Sequence, residues 1–171
     1  MNNLVMIFDD LSADKKRTFL KQNADKKVVM DFSTIDPNPF YHEFPNLIGS
    51  FPGLFAIEGK CELHLREEHP DVEAVMRANG LTPVRTSIAG LGFTVPRTLA
   101  MIINEAYFAL EEKVASASDI DRAMRFGVNY PQGPIGWAKD RERLYVSLLD
   151  SLKAASQDNR YEVCRLLRSV N

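Results

Sequence analysis

The side chains able to do chemistry in this sequence gather in two short stretches of its first half. Ser33 and Thr34 are neighbouring hydroxyls in Ser33-Thr34-Ile35-Asp36-Pro37-Asn38-Pro39, a proline-rich loop that follows an apolar run. A hydroxyl there can hold a substrate oxygen, or it can cap a turn by bonding nearby backbone. Glu62 and His64 lie in Cys61-Glu62-Leu63-His64-Leu65, with His69 shortly after. A histidine oriented by a carboxylate is the usual base for taking a hydroxyl proton. On one strand, however, positions i and i+2 are about 6.5 to 7 Å apart, too far for a tight hydrogen bond. Glu62 therefore reads first as an exposed strand residue. Cys61, His64 and His69 are possible metal ligands, but at irregular spacing and without a second Cys/His pair, so no metal is expected.

Binding a dinucleotide needs a strand running into a glycine-rich turn, where the backbone can approach a pyrophosphate at a helix N-terminus. Gly90-Leu91-Gly92 lacks the third glycine of that pattern and leads into Phe93-Thr94-Val95-Pro96. It reads as a hinge rather than a phosphate loop. No cofactor is expected for this chain alone.

These residues must be positioned by the elements around them. Leu4 to Phe8 and Lys27 to Phe32 are buried-strand patterns. Between them lies Lys15 to Asn23, a charged helix with Phe19 and Leu20 as its strong apolar positions and Ser12 as its candidate cap. Strand, helix, strand in this order favours a parallel βαβ unit. Leu47 to Phe51, Cys61 to Leu65 and Pro83 to Ser87 read as further strands, with a helix from Asp71 to Asn79 ended by Gly80. From Arg97 the period becomes helical: Leu99, Ile102, Ile103, Ala106 and Leu110 form one apolar face. Ser116-Ala117-Ser118-Asp119 marks a new helix start, and Gly127 its stop. A helix from Trp137 to Ala154 and a last one carrying Val163, Leu166 and Leu167 complete the pattern. The predicted fold class is α/β followed by all-α. A small α/β layer with a parallel sheet over residues 1–90 precedes a helical domain over residues 91–171.

Composition narrows the functions. The 171 residues carry a net charge of −2, from 21 basic and 23 acidic side chains mixed along the chain. That balance argues against nucleic acid or a charged membrane as partner. No apolar run is long enough to span a bilayer, and the start lacks a signal-peptide pattern, so a cytoplasmic protein is expected. Cys61 and Cys164 are expected as reduced thiols.

From Gly92-Phe93-Thr94-Val95-Pro96-Arg97 onward the sequence resembles the helical C-terminal domain of the 3-hydroxyacyl-CoA dehydrogenases. The likeness rests on Ile103-Asn104-Glu105-Ala106, Val114-Ala115-Ser116, Asp119-Ile120-Asp121, Ala123-Met124, Gly127 and Tyr130-Pro131-Gln132-Gly133-Pro134. The first half is similar, in its order of elements, to the later part of that family's Rossmann domain, so the resemblance implies a truncated Rossmann-like parallel sheet over residues 1–90 without the Gly-rich nucleotide loop. The resemblance implies that Ser33 or Thr34 matches a substrate-contacting serine, and that Glu62 lies within one position of a histidine-orienting glutamate. It also implies that Asn104, Tyr130, Pro131, Gly133 and Pro134 line an acyl-CoA cleft or a dimer contact. By residue type alone, Tyr130 to Pro134 reads as a rigid turn, with Gly133 in a conformation that other residues avoid.

The resemblance further puts the family's catalytic histidine at Phe51, which cannot accept a proton, and a substrate-holding asparagine at Pro96. The implied function is a relative without autonomous NAD-dependent activity, forming a homodimer through its helical domain and possessing a possible acyl-CoA site. The alternative is an oxidoreductase of the family, acting in fatty-acid or 3-hydroxybutyryl-CoA metabolism, that uses NAD with a partner chain or substitute residues. A third reading is an assembly protein that reuses the fold for something unrelated.

Overall fold

Residues 3–170 are described by a computed structural model. The chain divides into two compact units that meet in sequence at Val95 and Pro96.

In the first unit the apolar runs become β1 (Leu4–Ile7), β2 (Lys27–Asp31), β3 (Leu47–Phe51), β4 (Lys60–Leu65) and β5 (Thr82–Arg85), one five-stranded sheet in that order. The second and third strands are buried almost throughout, as central strands covered on both faces must be. Alternation along β2 splits them between two cores. Val28 and Met30 pack with Leu20, Phe32, Phe40, Tyr41, Phe44 and Leu47. Val29 packs on the other side with Ile48, Phe51, Cys61, Leu63, Val72 and Met76. The helices α1 (Ala13–Gln22), α2 (Asn38–Glu43) and α3 (Val72–Ala78) supply Leu20, then Phe40 and Tyr41, then Val72 and Met76 to these cores.

Four expectations are corrected here. The sheet is not all parallel, because β3 and β4 run antiparallel. Only residues 52–59 connect them, and a parallel return needs a crossover of roughly a dozen residues or more. The proline-rich loop becomes helical at Asn38, with Pro37 at the cap and Pro39 in the first turn, where a missing N–H costs nothing. Ser12 occupies the N-cap of α1, but its side chain makes no cap bond. The charged helix, expected to be exposed, buries Lys16 fully.

The second unit is helical: α4 (Val95–Glu111), α5 (Ala117–Gly127), α6 (Pro134–Ala138), α7 (Glu142–Ser156) and α8 (Arg165–Ser169). The long α4 buries Leu99, Ala100, Ile103, Ala106 and Tyr107 on one face. Ser116 caps α5, its hydroxyl accepting from Asp119 N–H at 3.2 Å and donating to Asp119 Oδ2 at 2.6 Å. The single helix expected from Trp137 to Ala154 is broken in two, with Asp140 in the left-handed region at φ 62° between α6 and α7. Tyr145, Leu148, Leu149 and Leu152 form the buried face of α7. Cys61 and Cys164 are buried free thiols. Among the described residues no helix is long and apolar enough to cross a membrane.

Candidate functional site

In parallel strand arrangements ligands meet the carboxyl ends of the strands, and there the first unit concentrates its buried polar groups. Asp31 ends β2 and is fully buried, as is Ser33 two residues on. Ser33 donates twice to Asp31 Oδ1, from its N–H at 2.7 Å and its hydroxyl at 2.6 Å. The same hydroxyl accepts from Leu54 N–H at 3.0 Å, tying the end of β2 to the 3-10 turn Gly53–Phe55. Asp31 Oδ2 is the one buried side-chain nitrogen or oxygen without a hydrogen-bond partner among the described residues.

Burial, which disfavours the charged form, pushes the Asp31 carboxyl up to about 6; its hydrogen bonds from Ser33 oppose this. Across the strand pairing stands Phe51, also fully buried, its ring 5.3 Å from that of Phe8. Gly53 is required here for space, since a Cβ on it would lie 2.5 Å from Asp31 Oδ2. Cys61 belongs to the same core; burial first, and then the Asp31 and Glu62 charges, push its thiol up to about 12. Cys61 is thus an inert thiol, not a nucleophile.

Thr34 points elsewhere. Its hydroxyl donates to Asp10 Oδ2 in a short contact, and Lys16 Nζ bonds Asp10 Oδ1 at 3.0 Å and Leu11 O at 2.7 Å. The ammonium also lies 5.0 Å from the centroid of the Phe32 ring. Ser33 and Thr34 are therefore sequence neighbours in separate polar networks.

Glu62 joins neither network. Its carboxylate accepts from Thr94 N–H at 3.2 Å and from Val95 N–H at 2.9 Å, where α4 begins. The exposed-strand reading missed this long-range cap. His64 stacks edgewise on Tyr41 with centroids 5.7 Å apart, and its Nδ1 lies 3.2 Å from Thr86 O. The two residues thus satisfy themselves separately. Among the described residues no group of three His, Cys, Asp or Glu side chains is arranged to hold a metal.

In the second unit Asn104 is buried and used at both ends of its amide. It donates to Glu162 O at 2.8 Å and accepts from Cys164 N–H at 2.9 Å, tying α4 to the chain before α8. It also lines an open cavity of about 460 Å³ with Met101, Ile102, Glu105, Phe108, Asn159, Arg160 and Glu162. Tyr130 is half-buried, its ring 5.3 Å from that of Trp137, while Pro131 is exposed. Gly133 and Pro134 are buried at the start of α6. The expected backbone reason for Gly133 is corrected: its φ of −78° is ordinary. A Cβ there would instead collide with the Asp121 carboxyl, which accepts from Ile135 N–H at 2.9 Å and Gly136 N–H at 3.0 Å.

Residues 92–171 match the family description "3-hydroxyacyl-CoA dehydrogenase, C-terminal domain". A probable 3-hydroxybutyryl-CoA dehydrogenase of Bacillus subtilis (strain 168) is 36% identical over 154 residues, 88% of this chain. Residues 92–171 thus belong to the C-terminal domain family of the 3-hydroxyacyl-CoA dehydrogenases, and the chain as a whole is similar to members of that group. The match covers 53% of the Bacillus protein. A 3-hydroxyadipyl-CoA dehydrogenase of Escherichia coli K12 is 50% identical over 78 residues, 45% of this chain and 16% of that protein. Among solved structures, an (S)-3-hydroxybutyryl-CoA dehydrogenase from Ralstonia eutropha superposes with a TM-score of 0.78 at 24% identity. That superposition covers 97% of this chain and 64% of the other, and shows a common fold. A 3-hydroxybutyryl-CoA dehydrogenase from Escherichia coli K12 gives 0.65 at 29% identity, over 82% and 30% of the two chains.

The likeness gives two internal positions their meaning. Where the resemblance expects a histidine, Phe51 fills the sheet core, and where it expects an asparagine, Pro96 is buried in the first turn of α4. Sequence reasoning passed over Asp31, which pairs with Phe51 across the strands, and Lys16. The signal for Asp31 was present: an acid two residues before a serine, at the end of an apolar strand, is an Asx-turn pattern. Nothing local marked Lys16, whose partner Asp10 lies across a turn.

Proposed function

We propose that this chain is a cytoplasmic relative of the 3-hydroxyacyl-CoA dehydrogenases that does not itself carry out NAD-dependent oxidation. It acts as a dimerising module through its helical unit, with an acyl-CoA as its ligand. The observation that carries this reading is Phe51. Oxidising a 3-hydroxyacyl group requires the hydroxyl proton to be taken as hydride leaves, and a phenyl ring packed on Phe8 takes none. Pro96 supports it, since proline has neither the amide donor nor the acceptor of an asparagine.

The residues present also fit a dinucleotide poorly. The turn between β1 and α1, Asp9-Asp10-Leu11-Ser12, is acidic and has no glycine. At the turn around Gly90 and Gly92, the N–H groups of Thr94 and Val95 are already taken by the Glu62 carboxylate, leaving them no capacity for a pyrophosphate.

Calorimetric titration of the purified chain with acetoacetyl-CoA, without nucleotide, tests the ligand. Saturable binding is expected; no heat, together with no rise in the thermal midpoint, would remove acyl-CoA from the reading.

One observation favours the alternative, an oxidoreductase with substitute residues. Asp31 has an unpartnered oxygen, sits opposite Phe51, and holds its proton up to about pH 6. Turnover that disappears in Asp31→Asn while binding persists would support that alternative.

A further inference from the structure

The helix α4 is apolar around more of its circumference than its packing explains. Leu99, Ala100, Ile103, Ala106 and Tyr107 form its buried face. Met101, Ile102 and Phe108 lie on the next stripe, half-buried and outside that face. A helix that is apolar on two faces is built to be covered on both. Along this second stripe runs the open cavity of about 460 Å³, lined on its far side by Glu162 and by Asn159 and Arg160 of the 3-10 turn Asn159–Tyr161. Such a volume lies within the roughly 300 to 1,000 Å³ usual for small-ligand clefts. Asn104 is a fixed wall of it, its amide committed to Glu162 O and Cys164 N–H.

Charge decides what this cavity takes. Of its three ionisable side chains, two are already matched: Arg160 Nε donates to Asp158 Oδ2 at 2.6 Å, and Lys153 Nζ holds Glu162 in a short contact. Glu105 is exposed and has no hydrogen-bond or ion-pair partner among the described residues. The positions one turn away on α4 are Met101, Ile102, Phe108 and Ala109, so no cation of its own helix neutralises it. A lone carboxylate therefore stands in the middle of an apolar stripe. We propose that the cavity binds a small organic ammonium ion, a protonated alkylamine, with its nitrogen on the Glu105 carboxylate and its chain along Met101, Ile102 and Phe108. A charge-assisted hydrogen bond fixes the head, and removal of apolar surface from water holds the chain. An acyl-CoA is a poor occupant, because its phosphates would add negative charge beside a carboxylate that is already uncompensated. The site is thus separate from the acyl-CoA reading and does not depend on it.

Titration of hexylammonium into the isotope-labelled full chain, followed by two-dimensional amide NMR, tests the proposal, with hexanol and hexanoate as chain-matched controls. Saturable shifts at the amides of Ile102, Glu105 and Phe108 are expected with hexylammonium, and they should weaken as salt is raised. Hexanol should bind roughly threefold more weakly, the effect of one partly exposed ion pair. Glu105→Gln should lower the hexylammonium affinity by about the same factor and leave hexanol unchanged. Glu105→Lys should reverse the preference, so that hexanoate binds in place of hexylammonium. Circular dichroism confirms that both variants are folded, as the exposure of Glu105 leads one to expect. Equal affinities for hexylammonium and hexanol, or a hexylammonium affinity unmoved in both variants, would overturn the proposal. So would the absence of saturable shifts with hexylammonium. Acetoacetyl-CoA should not displace the amine; displacement would put the acyl-CoA in this cavity, overturning the ammonium site while leaving the acyl-CoA reading intact.

Discussion

Asp31 lies directly across the β2–β3 pairing from Phe51, and its Oδ2 has no partner although the residue is fully buried. An aromatic ring thus fills the position where the family resemblance expects a base, while a carboxyl group with a strong hold on its proton is enclosed beside it.

The linkage between Asp31 and stability has a definite sign. Its carboxyl is raised from 3.8 to about 6 on folding, so the folded chain holds the proton more tightly than the unfolded one. That contribution is complete below about pH 3.8 and is lost as pH rises through about 6. The loss is roughly 3 kcal/mol at most. Urea unfolding between pH 4.5 and 7.5 should show the wild type weakening relative to Asp31→Asn, whose profile is flatter. Parallel profiles would contradict the buried-carboxyl account.

Ser33→Ala should move that pH dependence upward. The serine hydroxyl bonds Asp31 Oδ1 and favours its charged form, so removing it raises the proton affinity further. The midpoint of the pH-dependent loss, followed by tryptophan fluorescence in urea, should rise above the wild-type value; a downward shift would show that the hydroxyl points away from Asp31.

Glu62→Ala should destabilise the chain by about 1 to 2 kcal/mol, the usual effect of losing a side-chain cap on helix N–H groups. Glu62→Gln keeps an oxygen acceptor for Thr94 and Val95 and should lie between the two. Equal stability of all three in guanidinium melts would show that Glu62 caps nothing.

Asn104→Leu should cost about 2 to 4 kcal/mol, because the Cys164 N–H and the Glu162 carbonyl both lose their side-chain partner. The urea midpoint should fall with an unchanged slope. A change in acyl-CoA affinity without loss of stability would instead return Asn104 to the role of a ligand contact.

How much of this was legible in the sequence depended on whether the determining contact was local. The capping box at Ser116 and Asp119 lies within one turn, and it forms as its spacing indicated. Leu47–Phe51 forms β3, the central strand buried along its whole length, as its apolar run indicated. The break between α6 and α7 was hidden because apolar residues continue on both sides of Asp140. The antiparallel β3–β4 pairing could have been read from the short connection at 52–59. The bonds of Glu62 to Thr94 and Val95, and of Lys16 to Asp10, depend on packing across elements, and no residue pattern marked them. At the candidate site, Ser33 and Thr34 were found by their hydroxyls. Asp31, which organises Ser33, was overlooked because it closed an apolar run and looked like a strand's end.

The central claim is that this chain, with Phe51 in its core, does not itself run the dehydrogenase reaction. Incubating the purified chain with NADH and acetoacetyl-CoA, and following the loss of NADH absorbance, tests it most directly. The expected rate is that of the protein-free control, for the wild type and Asp31→Asn alike. A wild-type rate above control that Asp31→Asn abolishes would contradict it, and would make Asp31 the base that Phe51 cannot be.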